Sequence, residues 1–417
     1  MLTFSGHLAS VSQKLVLVTL PLLIVSFPLH SQNPAVSSAS QGIQGRPVAQ
    51  IPFGMSSGLI LVTVRVNDSK ELKMYLDTGM SAAVVVLFHK ELIEEIGLKN
   101  TQIVLLGGAG EGAPKQGTVA PGAAVKLDDL EMANQTIVVF DESRDTSPWQ
   151  VDGVIGKTLF DRYLTRIDYE NSVISLYEPA EAQIDSSFRA IPINLSSGFP
   201  IIETTLSLDG QEDVPVKLVI DFGHRNALFL NVNEKRRIPL PRATIRGLAG
   251  RGIQGEVSAL IGRLPELKFG PFSLKNVPTS FLEPGANIGF SRDLVDGDIG
   301  ELVFNRFNII LDYAHHRILA APNKYFDQPY EYDMSGLVLE QNREDVYYVL
   351  YVIESSPAAE NGILKGDKII FLNGKDVRDY KYGEVFTLLR QAGRDVRLTV
   401  ERNQERFEKT ITLRRLI

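Results

Sequence analysis

The chain reads as a mainly β protein: two β-rich halves of one repeated unit, followed by a smaller β domain with short helices. Three observations predict this. An apolar run closing on Asp-x-Gly and opening another apolar run occurs twice, at Asp77 and Asp221, 144 residues apart. From Ile51 onward the pattern is strand-like, with β-branched and apolar runs bounded by turn residues. Beyond about Tyr330 the repeat ends and a different pattern begins.

The elements follow in order. Lys14 precedes an apolar run, Leu15 to Leu29, that breaks at His30-Ser31-Gln32, so residues 1–32 read as an export signal. That run spans roughly 22 Å as a helix, short for a bilayer crossing. Residues 33–50 are rich in Ser, Gln, Gly and Pro and read as a flexible leader. The first lobe is expected over 51–182. Leu59 to Val66 is a strand, Asn67-Asp68-Ser69 a turn, and Leu72 to Leu76 the strand that delivers Asp77. Phe88 to Ile96, stopped by Gly97, is a short amphipathic helix. Gly107 to Gly112 interrupts a β pattern, either as a mobile loop over a cleft or as a plain hairpin turn. A short helix through Leu159, Phe160 and Tyr163 and a hairpin from Asp168-Tyr169 to Leu176 complete the lobe.

Ile191-Pro192 restarts the pattern of Ile51-Pro52, and the second lobe is expected over 188–324. The 144-residue offset relates Asp152-Gly153 to Asp296-Gly297, Ile155-Gly156 to Ile299-Gly300, Phe160 to Phe304 and Asp168-Tyr169 to Asp312-Tyr313. A duplicated unit of this kind predicts two halves about a pseudo-two-fold axis. The segment 330–417 carries Ser356-Pro357-Ala358-Ala359, Gly366-Asp367, an Asn373-Gly374 hairpin turn and a helical run from Tyr382 to Gln391, and reads as a separate domain.

Composition excludes several functions. A net charge of -7 argues against general affinity for nucleic acid or anionic membranes. With no cysteine, disulfides, thiolate chemistry and cysteine zinc sites are ruled out. The six histidines form no metal-binding spacing, and His315-His316 reads as a turn pair, so no metal is expected. Gly250-x-Gly252-x-x-Gly255 matches a dinucleotide fingerprint formally, but it lies within a β repeat with no βαβ unit, and no cofactor is expected. Trp149 is either a cleft or a core residue.

The chemistry rests on the paired aspartates. Two carboxylates within hydrogen-bonding distance cannot both ionise cheaply, so one shared proton persists over a broad range. Such a pair takes a proton from water while giving another to a carbonyl oxygen. Gly79 and Gly223 allow close approach, and the Thr78 hydroxyl can lock one loop against the other.

On Asp77-Thr78-Gly79, Asp221-Phe222-Gly223 and the later Val154-Ile155-Gly156, the chain resembles aspartic peptidases of the pepsin and retropepsin superfamily, with two lobes in one polypeptide. The resemblance implies Asp77 and Asp221 as catalytic residues, Thr78, Gly79 and Gly223 as active-site loop residues, and Gly108, Gly110, Gly112, Gly250 and Gly252 as flap candidates. It departs at Phe222, where the family carries Thr or Ser, at His224-Arg225, where small residues are usual, and at Asp298, where the family is apolar. The tail resembles a PDZ domain, which implies peptide binding as an added strand along Tyr347, Tyr348, Val349 and Leu350. The expected function is therefore an exported aspartic endopeptidase, periplasmic or in the cell envelope. Its partners would be unfolded or peptide substrates and PDZ ligand peptides, with membrane contact only through an uncleaved signal. The alternative is a non-catalytic peptide-binding protein with a degenerate second lobe. A rival arrangement pairs Asp77 with its copy in a second chain and leaves Asp221 idle.

Overall fold

The computed structural model describes residues 42–417 apart from 146, 148, 181, 209–212, 233–237, 283–285, 288, 292, 342–345 and 381–382. The export signal expected at 1–32 lies outside the described residues. Among them no helix is long and apolar enough to cross a membrane. The chain is mainly β, and its five α-helices span only four or five residues each among the described residues.

Each half folds into one closed sheet with the same strand order. In the first, Leu59–Val66, Leu72–Asp77, Gly153–Gly156, Val85–Leu87, Leu130–Phe140 and Lys115–Leu127 follow one another, and Leu59–Val66 pairs back onto Lys115–Leu127. In the second, Ile201–Ser207, Val214–Ile220, Gly297–Ile299, Leu228–Asn231, Phe272–Leu282 and Gly255–Phe269 repeat that order, again closing first strand on last. The apolar runs that end in Asp become buried central strands, which is why they carry almost no polar side chains. Their partners keep the repeat's register: Ile155 sits opposite Leu76, and Ile299 opposite Ile220. The duplicated Asp152 and Asp296 bracket these strands. Each carboxylate accepts the amide of Lys73 or Lys217, at 2.9 and 2.8 Å.

A third sheet joins the halves, in the order Arg189–Pro192, Arg317–Pro322, Phe307–Asp312, Leu164–Asp168, Val173–Tyr177, Ala49–Pro52. At its centre Arg166 pairs with Ile310, flanked by Thr165 with Leu311 and Ile167 with Ile309. Arg166 and Ile310 are themselves 144 residues apart, so the pseudo-two-fold axis runs between them and relates the two halves of a single chain. One apolar cluster continues through both halves, from Leu76 and Ile155 to Ile220, Phe222 and Phe304.

Three expectations are corrected. The leader is not flexible over residues 43–50: Ile43–Gln44 pairs with Gln183–Ile184, and Ala49–Pro52 forms an outer strand of the joining sheet. Ile43 is buried against Leu164, Tyr177 and Phe188, a contact too short in sequence to stand out from its Ser- and Gly-rich surroundings. Tyr330 belongs with the lobes and not with the tail, since it packs in the shared cluster beneath the Arg306 guanidinium, 3.6 Å from its ring centroid. Finally, the helix expected from Tyr382 to Gln391 is only Glu384–Leu388 among the described residues.

Candidate active site

Asp77 ends its strand, Asp221 directly follows Val214–Ile220, and both are fully buried. Each carboxylate is held by its own loop: the Gly79 amide donates to Asp77 Oδ1 at 2.6 Å, and the Gly223 amide to Asp221 Oδ1 at 2.9 Å. The loops meet across the axis. A Cβ added at Gly79 would lie 2.7 Å from Asp221 Oδ2, so only glycine lets the opposite carboxylate come this close. Among the described residues the Oδ2 atoms of both aspartates have no hydrogen-bond partner.

Burial pushes the Asp77 carboxyl up to about 7. Asp221 is driven well above the usual range, first by burial, then by the charges of Asp77 and Asp298. A pair in this state keeps a proton at neutral pH, as like charges in a low dielectric must.

Thr78 fastens the loops together. Its hydroxyl donates to the Ile220 carbonyl at 2.6 Å and accepts the Phe222 amide at 2.9 Å. The reciprocal hydroxyl is missing, because its position is Phe222. That ring is buried and stacks on Phe304, centroids 4.4 Å apart and planes 16° from parallel. The second loop is therefore anchored into the shared core by an aromatic contact. The other two departures from the family pattern meet each other: His224 Nδ1 hydrogen-bonds Asp298 Oδ1 in the protein interior. Glu301, which the sequence did not single out, is also buried beside Tyr169, and desolvation holds its carboxyl well above the usual range.

The glycine-rich stretches face one another. Gly108, Gly110 and Gly112 lie in the turn between Gln102–Leu106 and Lys115–Leu127, while Gly250 and Gly252 lie in Thr244–Gly252, whose hairpin turns at Ile253-Gln254. The Gln254 amide donates to Ala109 O at 2.8 Å, the Gly112 amide to Gln254 O at 2.6 Å, and the Gly108 amide to Gln254 Oε1 at 3.0 Å. Asn287 adds a bond from its side chain to Gly108 O at 2.8 Å. A Cβ at Gly110 would stand 2.3 Å from the Gln254 carbonyl carbon, so the two tips interlock only over glycine. Ile253 packs into the first half's cluster with Tyr75, Met80 and Trp149, and Ala109 packs into the second half's with Phe229 and Ala249. Trp149 is thus a core residue stacked on Phe88, with ring centroids 4.8 Å apart. Neither Gln254 nor Asn287 stands out in the sequence, because polar residues in a glycine-rich turn are ordinary. Among the described residues no group of three or more His, Asp or Glu is placed to hold a metal ion.

Residues 62–159 match the aspartyl protease family profile, and residues 336–413 match that of the PDZ domain. The chain carries an aspartyl protease domain and a PDZ domain. No curated protein matches it. The protease match spans the first half from the strand Leu59–Val66 to the helix Lys157–Phe160, and the second half repeats that half's strand order.

Within the PDZ domain the expected peptide strand is corrected. Tyr347–Val352 is an inner strand, paired with Leu337–Gln341 on one side and Lys368–Leu372 on the other. The Val349 amide donates to Asp367 O, and Val349 O accepts the Gly366 amide, both at 2.8 Å. Tyr347, Val349 and Leu350 are buried, so no peptide can add along this strand. An added strand needs a sheet edge; the sheet ends at Leu337–Gln341 on one side and Glu405–Thr412 on the other, and the edge beside Tyr347–Val352 is Leu337–Gln341. Beside it lies a cavity of about 390 Å³, walled by Leu337, Leu339, Phe386 and Arg390 from the PDZ domain and by Arg225 and Leu248 from the second lobe. The two domains are pinned there by Arg251–Glu340 at 3.1 Å and by Leu248 packed between Val338 and Leu350.

Proposed function

We propose that the protein is an aspartic endopeptidase in which Asp77 and Asp221 activate a water molecule against a peptide carbonyl, with the PDZ domain binding peptide or protein termini along Leu337–Gln341. The observation that carries this reading is the approach of the two loops about one axis, with Gly79 of one loop against the carboxylate of the other. Asp221, raised first by burial and then by the charges of Asp77 and Asp298, is assigned the shared proton, and Asp77 the role of base. Asp77 takes a proton from water, the nascent hydroxide adds to the carbonyl carbon, and Asp221 gives its proton to the carbonyl oxygen. Collapse of the tetrahedral intermediate returns a proton to the leaving nitrogen and restores the singly protonated pair. The interlocked flaps exclude water from this step, and substrate enters when the Gln254 bonds open.

The register of Arg166 with Ile310 supports pairing within one chain over pairing between two. Export, to the periplasm or cell envelope, is supported by the apolar run of Leu15 to Leu29, with membrane anchoring if the signal stays uncleaved. Phe222 favours the alternative of a peptide-binding protein without turnover, and one experiment separates the two. Cleavage of an unfolded protein is assayed for wild type, Asp77→Asn and Asp221→Asn over a range of protein concentrations. Loss of turnover in both variants at every concentration supports the intramolecular pair. An active Asp221→Asn variant whose specific activity rises with concentration refutes it, and an inactive wild type that still binds the substrate leaves recognition alone.

A further inference from the structure

The repeat is broken at two positions that touch. In the first half the residue after Asp77-Thr78-Gly79 is Met80, and the central strand carries Val154; both are buried in one apolar cluster. At the equivalent places of the second half stand His224 and Asp298. They are 1% and 2% exposed and bonded to each other, with the imidazole lying on Phe229 at a centroid distance of 3.8 Å. An apolar pair has thus been replaced by a polar pair, and neither member has a place in the core without the other.

Both residues are tied to Asp221 through the backbone. The His224 amide donates to the Asp221 carbonyl at 3.2 Å, and the Asp221 amide donates at 2.9 Å to the carbonyl of Ile299, next to Asp298 on the central strand. The side-chain bond closes this into a loop from Asp221 through His224 and Asp298 to Ile299 and back. It lies where Phe222 leaves the second loop without a hydroxyl of its own. The titratable groups around Asp221 are Asp77 from the opposite loop, Asp298 from the central strand, His224 of its own loop and Tyr313 from the turn that follows Phe307–Asp312.

We propose that His224 and Asp298 are positioning residues of the second catalytic loop: their bond replaces the missing hydroxyl lock and fixes the Asp298 side chain beside the strand end that receives the Asp221 amide. This rests on the peptidase reading for its consequence in turnover, but the influence of Asp298 on the Asp221 carboxyl is measurable without turnover. Asp298→Asn keeps an oxygen for the His224 bond and removes the charge. The expected result is a folded protein whose alkaline limb of kcat/KM moves about one pH unit toward acid. The Asp221 carboxyl, followed by carbon-13 NMR, should titrate lower by a similar amount.

The double variant His224→Met with Asp298→Val installs the first half's own pair. It is expected to fold, to lose kcat by at least about tenfold, and to show the same acid-ward titration, whereas each single change leaves a buried polar group stranded and unfolds more easily. An unshifted Asp221 titration in Asp298→Asn overturns the coupling of the pair to Asp221. A double variant with wild-type kcat overturns the positioning role and makes the pair mere packing. If wild type shows no turnover that Asp77→Asn removes, the peptidase reading falls, while the NMR titration still decides the coupling of the pair to Asp221.

Discussion

Truncating Thr78 to alanine removes the hydroxyl that crosses between the two Asp loops. Its two bonds, 2.6 Å to the Ile220 carbonyl and 2.9 Å from the Phe222 amide, are both buried. The variant strands one carbonyl and one amide, at about 1–3 kcal/mol each. Loss of the buried methyl adds about 1 kcal/mol, for a total of about 3–7 kcal/mol. Nothing compensates from the other side, because Phe222 has no hydroxyl to offer. Thr78→Ser keeps both bonds and loses only the methyl, so its cost should stay near about 1 kcal/mol. The chain contains one tryptophan, Trp149, packed in the first half's core, and its fluorescence reports urea unfolding of that half directly. Thr78→Ala is expected to unfold at clearly lower urea than Thr78→Ser, and to lose turnover as the loops drift apart. If the two variants unfold at the same urea concentration and cleave equally, the one-sided lock does not hold the site and the account of Thr78 is wrong.

Restoring the family hydroxyl with Phe222→Thr should destabilise: emptying the stack on Phe304 costs about 3–5 kcal/mol, against about 1 kcal/mol for a new hydrogen bond, and thermal melting checks the sign. Gly79→Ala places a methyl 2.7 Å from Asp221 Oδ2, so turnover should fall by at least about a hundredfold, or about 2.7 kcal/mol of barrier, while circular dichroism still shows the β fold; an active variant would mean the carboxylates are not held this close. Stability should also depend on pH through Asp77. Its folded value of about 7 lies above the ordinary 3.8, so the native state retains a proton that the unfolded chain has lost, and stability falls as pH rises from about 4 to about 7. Urea midpoints of Asp77→Asn across that range should show a shallower slope than wild type, and equal slopes would refute the raised value.

Much of this architecture follows from local pattern. A buried central strand must be apolar along its length, so the runs ending at Asp77 and Asp221 announce themselves, and a duplicated strand order repeats its sequence landmarks at one offset. Those landmarks predicted two β halves, and the register of Arg166 against Ile310 adds that the axis lies within one chain.

Other features depend on which strands end up side by side, and no local pattern encodes that. Whether Tyr347–Val352 or Leu337–Gln341 lies at the sheet margin is decided by pairing across the sheet: the first is paired on both sides and the second on one. Ile43 and Ala49 look like leader residues until an outer strand and an apolar wall are supplied from beyond residue 160. His224 and Asp298 read separately as damage to a family pattern, because 74 residues divide them; folding puts them in contact and makes each the reason the other can be buried. A side chain's chemical type is written at its own position, but its charge state depends on the dielectric and the neighbours around it, and these arrive only when distant strands take their register.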